Sequence, residues 1–333
     1  MKTLLDAHDV LLLDLDGTLY RGATPLPGAL DAWARAAEQG HRIGYLTNNG
    51  SRSPRDVAAH LVGMGFAVTD SEVVTSGQAA SRMLAERLPA GAAVLVVGTA
   101  DLAAEIREVG LTVTDHAEDA EGVVQGHSPD TGWRLLAEAC LAIRRGALWV
   151  TCNVDMTLPT ERGELPGNGS MVAALRAATE AQPIIAGKPE PWLFTEAVRR
   201  AGAQRPIMVG DRLETDIAGA NAAGISSMVV LTGVSDAAAI LRAGPSSRPR
   251  YLGADLTALH GNIELALPIA RPPWRVSTGD DGLVLEALAV GGDPVAALCA
   301  LCEAHWAGGG GPVRVRPGDD RAAAALGWLG LGC

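Results

Sequence analysis

Short, continuous apolar runs alternate with longer amphipathic stretches from the first residues of this chain, and each early run ends in polar side chains. Val10-Leu11-Leu12-Leu13 and residues 42–46 read as strands, and about 28–39 and 54–64 read as helices. The apolar runs are unbroken rather than alternating, the mark of strands covered on both faces of a parallel sheet. Strands separated by helices at this spacing predict βαβ units and hence an α/β fold with a doubly wound parallel sheet.

A second α/β series begins at Val94-Leu95-Val96-Val97. It continues through Gly122-Val123-Val124, a helix over about 133–145 and a strand at 147–150, then enters a Pro- and Gly-rich loop over 153–169. Pro206-Ile207-Met208-Val209 resumes the buried-strand pattern. The spacing therefore predicts a core made of 1–80 and 182–260, with 81–181 inserted into it as a second α/β domain. Beyond His260 a third piece reads as strands near 274–277 and 283–286, a helix over 294–305, a strand at 313–316 and a helix from Arg321. Its order predicts a small C-terminal α/β module, 261–333. That order also suits a fragment of an acetyltransferase-like fold, but no acyl-CoA pyrophosphate loop is visible. Packing or dimerisation is the role expected for it.

Composition narrows the class of function. The net charge is −11, which disfavours a broad surface for phosphate backbones and makes nucleic acid an unexpected partner. No run reaches the ~18–20 apolar residues of a spanning helix, so no membrane partner is expected either. Asp6, His8 and Asp9 interrupt the N-terminal apolar run, so no signal peptide is expected. The five cysteines are odd in number and scattered, which suits a reducing compartment, and a cytoplasmic location is expected. Cys299 and Cys302 have a Cys-x-x-Cys spacing but lie in an apolar helical stretch without a second ligand pair, and read as buried structural thiols.

Four strand ends carry chemistry. Asp14-Leu15-Asp16-Gly17-Thr18 places two carboxylates beyond the carboxyl end of the first strand, where open α/β sheets bind ligands. Strand alternation would turn positions 14 and 16 toward one site; the competing reading is that they cap a turn. Thr47-Asn48-Asn49-Gly50 offers a hydroxyl, amides and backbone N–H groups suited to phosphate oxygens, or forms an ordinary turn. Of the 27 basic residues only Lys2 and Lys188 are lysine. Lys188, in Gly187-Lys188-Pro189, thus stands out as a compact point charge in a chain that otherwise uses arginine. Gly210-Asp211-x4-Asp216 again ends a buried strand in acids, although Asp216 is equally placed to favour a helix N-terminus. Asp14, Asp16 and Asp211 together make a hard-oxygen set suited to Mg2+, and Lys188 and Thr47 would complete a phosphate cradle.

These four motifs resemble those of the haloacid-dehalogenase (HAD) superfamily of phosphatases. The insertion between the second and third motifs is similar to the large α/β cap that one branch of the superfamily carries there, as are Asn153-x-Asp155-x3-Pro159 and Pro166-Gly167-Asn168-Gly169-Ser170. The resemblance covers about residues 8–260. It implies a Mg2+-dependent phosphomonoester hydrolase with Asp14 as nucleophile, forming an aspartyl-phosphate, and Asp16 as general acid/base. It further implies metal binding by the Asp14 carboxylate, the Asp16 backbone carbonyl and Asp211. Phosphate binding falls to Thr47, Asn48 and Lys188, and Asp216 orients Lys188 or a metal-bound water. With its C-terminal extension, the sequence is most similar to the actinobacterial-type glycerol-3-phosphate phosphatases of this branch. The expected substrate is thus glycerol 3-phosphate, the alternatives being phosphoglycolate, pyridoxal phosphate or a nucleotide. In such a family Thr157, Leu158, Glu161 and Arg162 would read the substrate, unless they merely coat an exposed loop. A homodimer is implied as well. The competing classes are a phosphomutase or phosphotransferase that passes the aspartyl-phosphate to an alcohol, and a HAD-like binding or regulatory protein without catalysis.

Overall fold

The computed structural model describes residues 2–160, 162–279 and 282–332. The chain forms two compact units, Met1–Tyr45 with Met64–Phe66 and Val198–Cys333, and Leu46–Gly63 with Ala67–Ala197. In the first unit, parallel strands run side by side in the order Tyr251–Gly253, Ser226–Val230, Pro206–Gly210, Val10–Leu13 and 42–45, the first-unit part of strand Arg42–Thr47. Val10 through Leu13 are all buried, as their unbroken apolar run requires. Register pairs Leu13 with Val209 on one side and with Tyr45 on the other. Chain order runs outward in opposite directions from the pair Val10–Leu13 and Pro206–Gly210. Their carboxyl ends therefore flank a topological switch point, the place where this class of sheet opens a crevice.

The C-terminal module belongs to the first unit. Trp274–Gly279 pairs antiparallel with Gly282–Ala287, which pairs parallel with Val315–Pro317. Helices Pro294–Ala307 and Asp320–Trp328 pack beside this small sheet. Asp293 caps the first of these helices, accepting the Val295 N–H at 2.9 Å, and Pro294 occupies its first turn. Over 295–302 this helix is apolar on every face, so that stretch has to be enclosed. Its residues Val295, Leu298, Leu301 and Cys302 share one buried cluster with Leu213, Ile217, Ile240 and Leu241.

The second unit contains a parallel five-stranded sheet in the order Ile184–Ile185, Leu148–Thr151, Gly122–Gln125, Ala93–Val97 and Thr112–Thr114. Helices Ala100–Glu108, Trp133–Arg144 and Asn168–Thr179 accompany it. The stretch 153–169, expected to be loop, instead contains an antiparallel hairpin of Thr157–Thr160 and Gly163–Pro166, and Asn168 already begins a helix. The hairpin escapes a periodicity reading because Gly163 to Pro166 are all exposed and show no buried alternation. A two-stranded ribbon also tolerates prolines, having only edges. Among the described residues no helix is long and apolar enough to cross a membrane.

Candidate functional site

The carboxylates of the first unit gather where the sheet topology predicts a crevice. The Asp14 N–H continues the strand ladder to the Val209 carbonyl (2.9 Å), so Asp14 and Asp211 leave neighbouring parallel strands at the same edge. Asp14 is half-buried, while Asp211 and Asp216 are 0% and 1% exposed. One carboxylate oxygen from each of the three lies within 4.8 Å of the others. Three acids so close in a largely dry setting repel one another unless a cation or protons intervene.

The backbone holds this cluster in place. Asp211 Oδ2 accepts the Val234 N–H (2.7 Å) and its carbonyl accepts the Ser235 N–H (3.0 Å). Ser235 Oγ in turn accepts the Leu213 N–H (3.0 Å), and Asp216 Oδ2 accepts the Arg212 N–H (3.1 Å). Gly233 presses so closely on Asp211 that a Cβ there would overlap the carboxylate, so only glycine fits. The sequence alone gives no local sign that residues 233–235 support the site; the contact is purely tertiary.

Two placements differ from the geometry expected of the motifs. Asp16 is exposed and stands outside the three-carboxylate group. Strand alternation does not reach it, because the strand ends at Leu13 and the Leu15 carbonyl then accepts the N–H groups of Thr18 and Leu19 in a turn. Asp216, set in the sequence reading behind the metal ligands or at a helix cap, brings its carboxylate into the group. It sits inside a π-turn, Leu213–Ile217, whose N-cap position is Arg212. Turns of this kind concentrate at functional sites.

In the second unit, Thr47, Asn48 and Lys188 come together. Asn48 grips the Lys188 backbone from both sides: its Oδ1 accepts the Lys188 N–H (2.7 Å) and its Nδ2 donates to the Lys188 carbonyl (3.1 Å). The Lys188 side chain is 3% exposed, with Nζ 3.5 Å from the Leu46 carbonyl. A Cβ on Gly187 would overlap the Cys152 carbonyl and Asn48 Oδ1, so the clamp demands glycine before the lysine. Thr47 Oγ1 accepts the Asn49 N–H (3.1 Å), and the Asn48 carbonyl takes hydrogen bonds from Ser76 Oγ (2.6 Å) and Asn153 Nδ2 (2.7 Å).

Asn153 and Asn168 are structural ties. Asn168 Nδ2 donates to Thr151 Oγ1 (2.9 Å) and to the Asn153 carbonyl (2.7 Å), closing the base of the hairpin. Thr157, Leu158 and Arg162 lie on that hairpin, Thr157 and Arg162 exposed and Leu158 half-buried. Glu161 lies outside the described residues. Cys299 and Cys302 are buried and unbridged, and burial pushes the Cys299 thiol up to about 12. The carboxylate cluster is the one candidate cation site of three or more ligating side chains among the described residues.

Comparison with known proteins bears on each segment. Residues 11–112 match a family model described as haloacid dehalogenase-like hydrolase, and residues 185–259 match a HAD-hydrolase-like model. Residues 271–331 match a GCN5-related N-acetyltransferase-like domain, in line with the acetyltransferase-like alternative for the fold of the C-terminal module. The D-glycerol 3-phosphate phosphatase of Mycobacterium tuberculosis is 48% identical, over 98% of this chain and 95% of that protein. A crystal structure of the glycerol phosphate phosphatase from the same organism, in complex with magnesium, superposes with a TM-score of 0.95 at 48% identity and covers 99% of both chains. The 4-nitrophenylphosphatase of Thermotoga maritima is similar at 31% identity and a TM-score of 0.72, over 78% of this chain and 99% of that one.

Proposed function

This chain belongs to the haloacid dehalogenase-like hydrolase family, and we propose that it is a Mg2+-dependent phosphatase that converts glycerol 3-phosphate and water to glycerol and phosphate through an aspartyl-phosphate at Asp14. The observation that carries the reading is the convergence of half-buried Asp14 with buried Asp211 and Asp216 at the switch point of the sheet. The substrate is taken from the end-to-end similarity to the mycobacterial enzyme.

The donor set fits the ion. Mg2+ takes hard oxygen ligands and few carboxylates, and three clustered acids supply the negative charge that calls for a cation. Asp14, Asp211 and the Asp16 carbonyl would hold it, with Asp216 supporting them; when bound it offsets the repulsion between an anionic nucleophile and an anionic substrate.

In the first half-reaction an Asp14 carboxylate oxygen attacks phosphorus, and the bond from phosphorus to the glycerol oxygen breaks. Asp16 delivers a proton to the leaving oxygen. In the second, Asp16 takes a proton from water as that water attacks the phosphorus of the acyl phosphate, releasing phosphate and restoring Asp14. The exposure of the Asp16 side chain suits a group that must meet both the leaving alcohol and incoming water. We assign Thr47, Asn48 and Lys188 to phosphate binding, Asn48 acting by clamping the lysine backbone. Residues 81–181 are proposed as the substrate-reading cap on a core of 1–80 and 182–260. Its hairpin residues Thr157, Leu158, Glu161 and Arg162 are the proposed selectors. Assembly as a homodimer and a cytoplasmic location complete the proposal.

The test is phosphate release from glycerol 3-phosphate, phosphoglycolate, pyridoxal phosphate, nucleotides and p-nitrophenyl phosphate, with Mg2+, with EDTA and with Asp14→Asn. Release led by glycerol 3-phosphate, abolished by EDTA and by Asp14→Asn, is expected. Undiminished turnover in a folded Asp14→Asn protein would overturn the mechanism, and release led by another compound would overturn the substrate.

A further inference from the structure

None of the roles above uses the C-terminal module, yet its packing runs directly to the loop that holds Asp211. Trp306, near the end of helix Pro294–Ala307, donates its indole N–H to the Leu241 carbonyl (3.2 Å) in the last turn of helix Ala237–Arg242. The Arg248 guanidinium lies 5.3 Å from the Trp306 ring centre, and donates from Nε to the Ala243 carbonyl (3.1 Å) and from Nη2 to the Gly309 carbonyl (2.7 Å). Two carbonyls left over at the end of the short helix are thus satisfied by this pair.

The opposite end of the same helix reaches the acids. Asp236 caps it through the Ala239 N–H (2.7 Å). The two residues before Asp236 are Val234 and Ser235, whose N–H groups hold Asp211 and whose Ser235 hydroxyl takes the Leu213 N–H. A helix of six residues cannot fix its own position. What it packs on sets that position: Ile240 and Leu241 share a buried cluster with Leu298 and Leu301 of the module, and with Leu213 and Ile217 on either side of Asp216.

We infer that the C-terminal module is a brace for the metal-binding loop: Trp306 and Arg248 are positioning residues that, through helix Ala237–Arg242, set how tightly the Asp14–Asp211–Asp216 cluster binds Mg2+. The inference deepens the proposed function and rests on the cluster being its metal site.

The experiment is titration calorimetry of MgCl2 into the full-length chain, wild type against Trp306→Phe, which keeps an aromatic ring beside Arg248 and removes the N–H donor together with part of the ring system. The Mg2+ Kd is expected to rise roughly threefold to tenfold, as for a contact two steps from the ligand, with kcat at saturating Mg2+ within about twofold of wild type. Ser235→Ala leaves both backbone bonds to Asp211 but removes the tie from the same loop to the Leu213 N–H, nearer the ligand, and should raise the Kd by about tenfold or more. Because both act through one loop, the double variant should bind no more weakly than Ser235→Ala alone. An unchanged Kd in Trp306→Phe, with or without a lower thermal midpoint, would reduce the contact to a structural one and overturn the inference. Multiplying effects in the double variant would overturn it too. A wild-type chain that binds no Mg2+ would overturn the cluster's role and this inference with it; one that binds Mg2+ but releases no phosphate would overturn the catalytic reading alone.

Discussion

Truncating Asn48 to alanine removes two hydrogen bonds at once, the one its Oδ1 accepts from the Lys188 N–H and the one its Nδ2 donates to the Lys188 carbonyl. Lys188 is 3% exposed, so water reaches the abandoned groups poorly. Each buried backbone group left without a partner costs about 1–3 kcal/mol. The pair therefore sums to roughly 2–6 kcal/mol, and the lower half of that range applies if the space vacated by the amide admits a water molecule. The main-chain contacts of Asn48, its carbonyl to Ser76 and Asn153, survive the substitution. The loss is thus confined to the clamp.

Urea unfolding at pH 7.5 gives the stability change directly, provided the slope of the transition stays constant. Kinetics give the second reading. Freed from its clamp, the lysine shifts by an ångström or so, and a displacement of that size is enough to cost about 100-fold in rate. A fall of that order in kcat/KM is expected for Asn48→Ala, with Asn48→Asp intermediate because it keeps the acceptor for the Lys188 N–H. Stability within about 0.5 kcal/mol of wild type, the usual range for surface substitutions, would refute the energetic argument. Wild-type kcat/KM in a destabilised Asn48→Ala protein would refute the link from clamp to lysine to phosphate.

Further expectations follow from other buried groups. Lys188→Arg should lose about 100-fold or more in kcat/KM, because the planar guanidinium cannot occupy a buried site shaped for an ammonium; near wild-type efficiency would contradict the phosphate-binding role. His8 has its pKa lowered, first by burial, with its Nδ1 bonded to the Arg205 carbonyl and Nε2 without a hydrogen-bond partner among the described residues. Since the unfolded chain then takes up the proton first, this contribution to stability is intact above about pH 6.5 and drains away as the pH falls below it, at no more than about 1.4 kcal/mol per unit. Urea midpoints between pH 7.5 and 5 should therefore fall less steeply for His8→Gln than for wild type, and equal slopes would count against it. Burial pushes Cys152 and Cys299 up to about 12 and Cys302 well above its ordinary value. Iodoacetamide at pH 8, mapped by mass spectrometry, should modify half-buried Cys140 in the native protein and reach these three only after unfolding.

Much of the first sheet is legible in the sequence because burial on both faces leaves a physical trace, four apolar residues in a row at 10–13 and again at 206–209. The functional motifs are legible for a related reason: a parallel sheet delivers its chemistry at the carboxyl ends of its strands, so acids directly after such runs stand out. The reading loses its grip where regular structure stops. Alternation places Asp14 correctly and cannot place Asp16, since the chain turns after Leu15. The hairpin Thr157–Thr160 with Gly163–Pro166 has too little buried surface to imprint a pattern.

Tertiary partners are the least legible of all, and Ser235 shows why. Nothing in Gly233-Val234-Ser235-Asp236 distinguishes it from any loop before a capped helix, and its role exists only because Asp211 lies on the adjoining strand end. The same holds for helix Pro294–Ala307. The apolar surface of its stretch 295–302 tells that this part is enclosed, and the sequence is silent on what encloses it. The structure supplies Ile240 and Leu241, about 60 residues upstream, and behind them the two apolar residues that flank Asp216. Precision in the carboxylate cluster therefore depends on residues with no chemistry of their own. A substitution at Leu298 or Leu301 should weaken packing by the few kcal/mol usual for a buried leucine and disturb Mg2+ binding as well. A buried leucine of the other unit, such as Leu95, should lower stability without changing Mg2+ affinity, and equal Mg2+ affinity in both variants would show that the shared core transmits nothing.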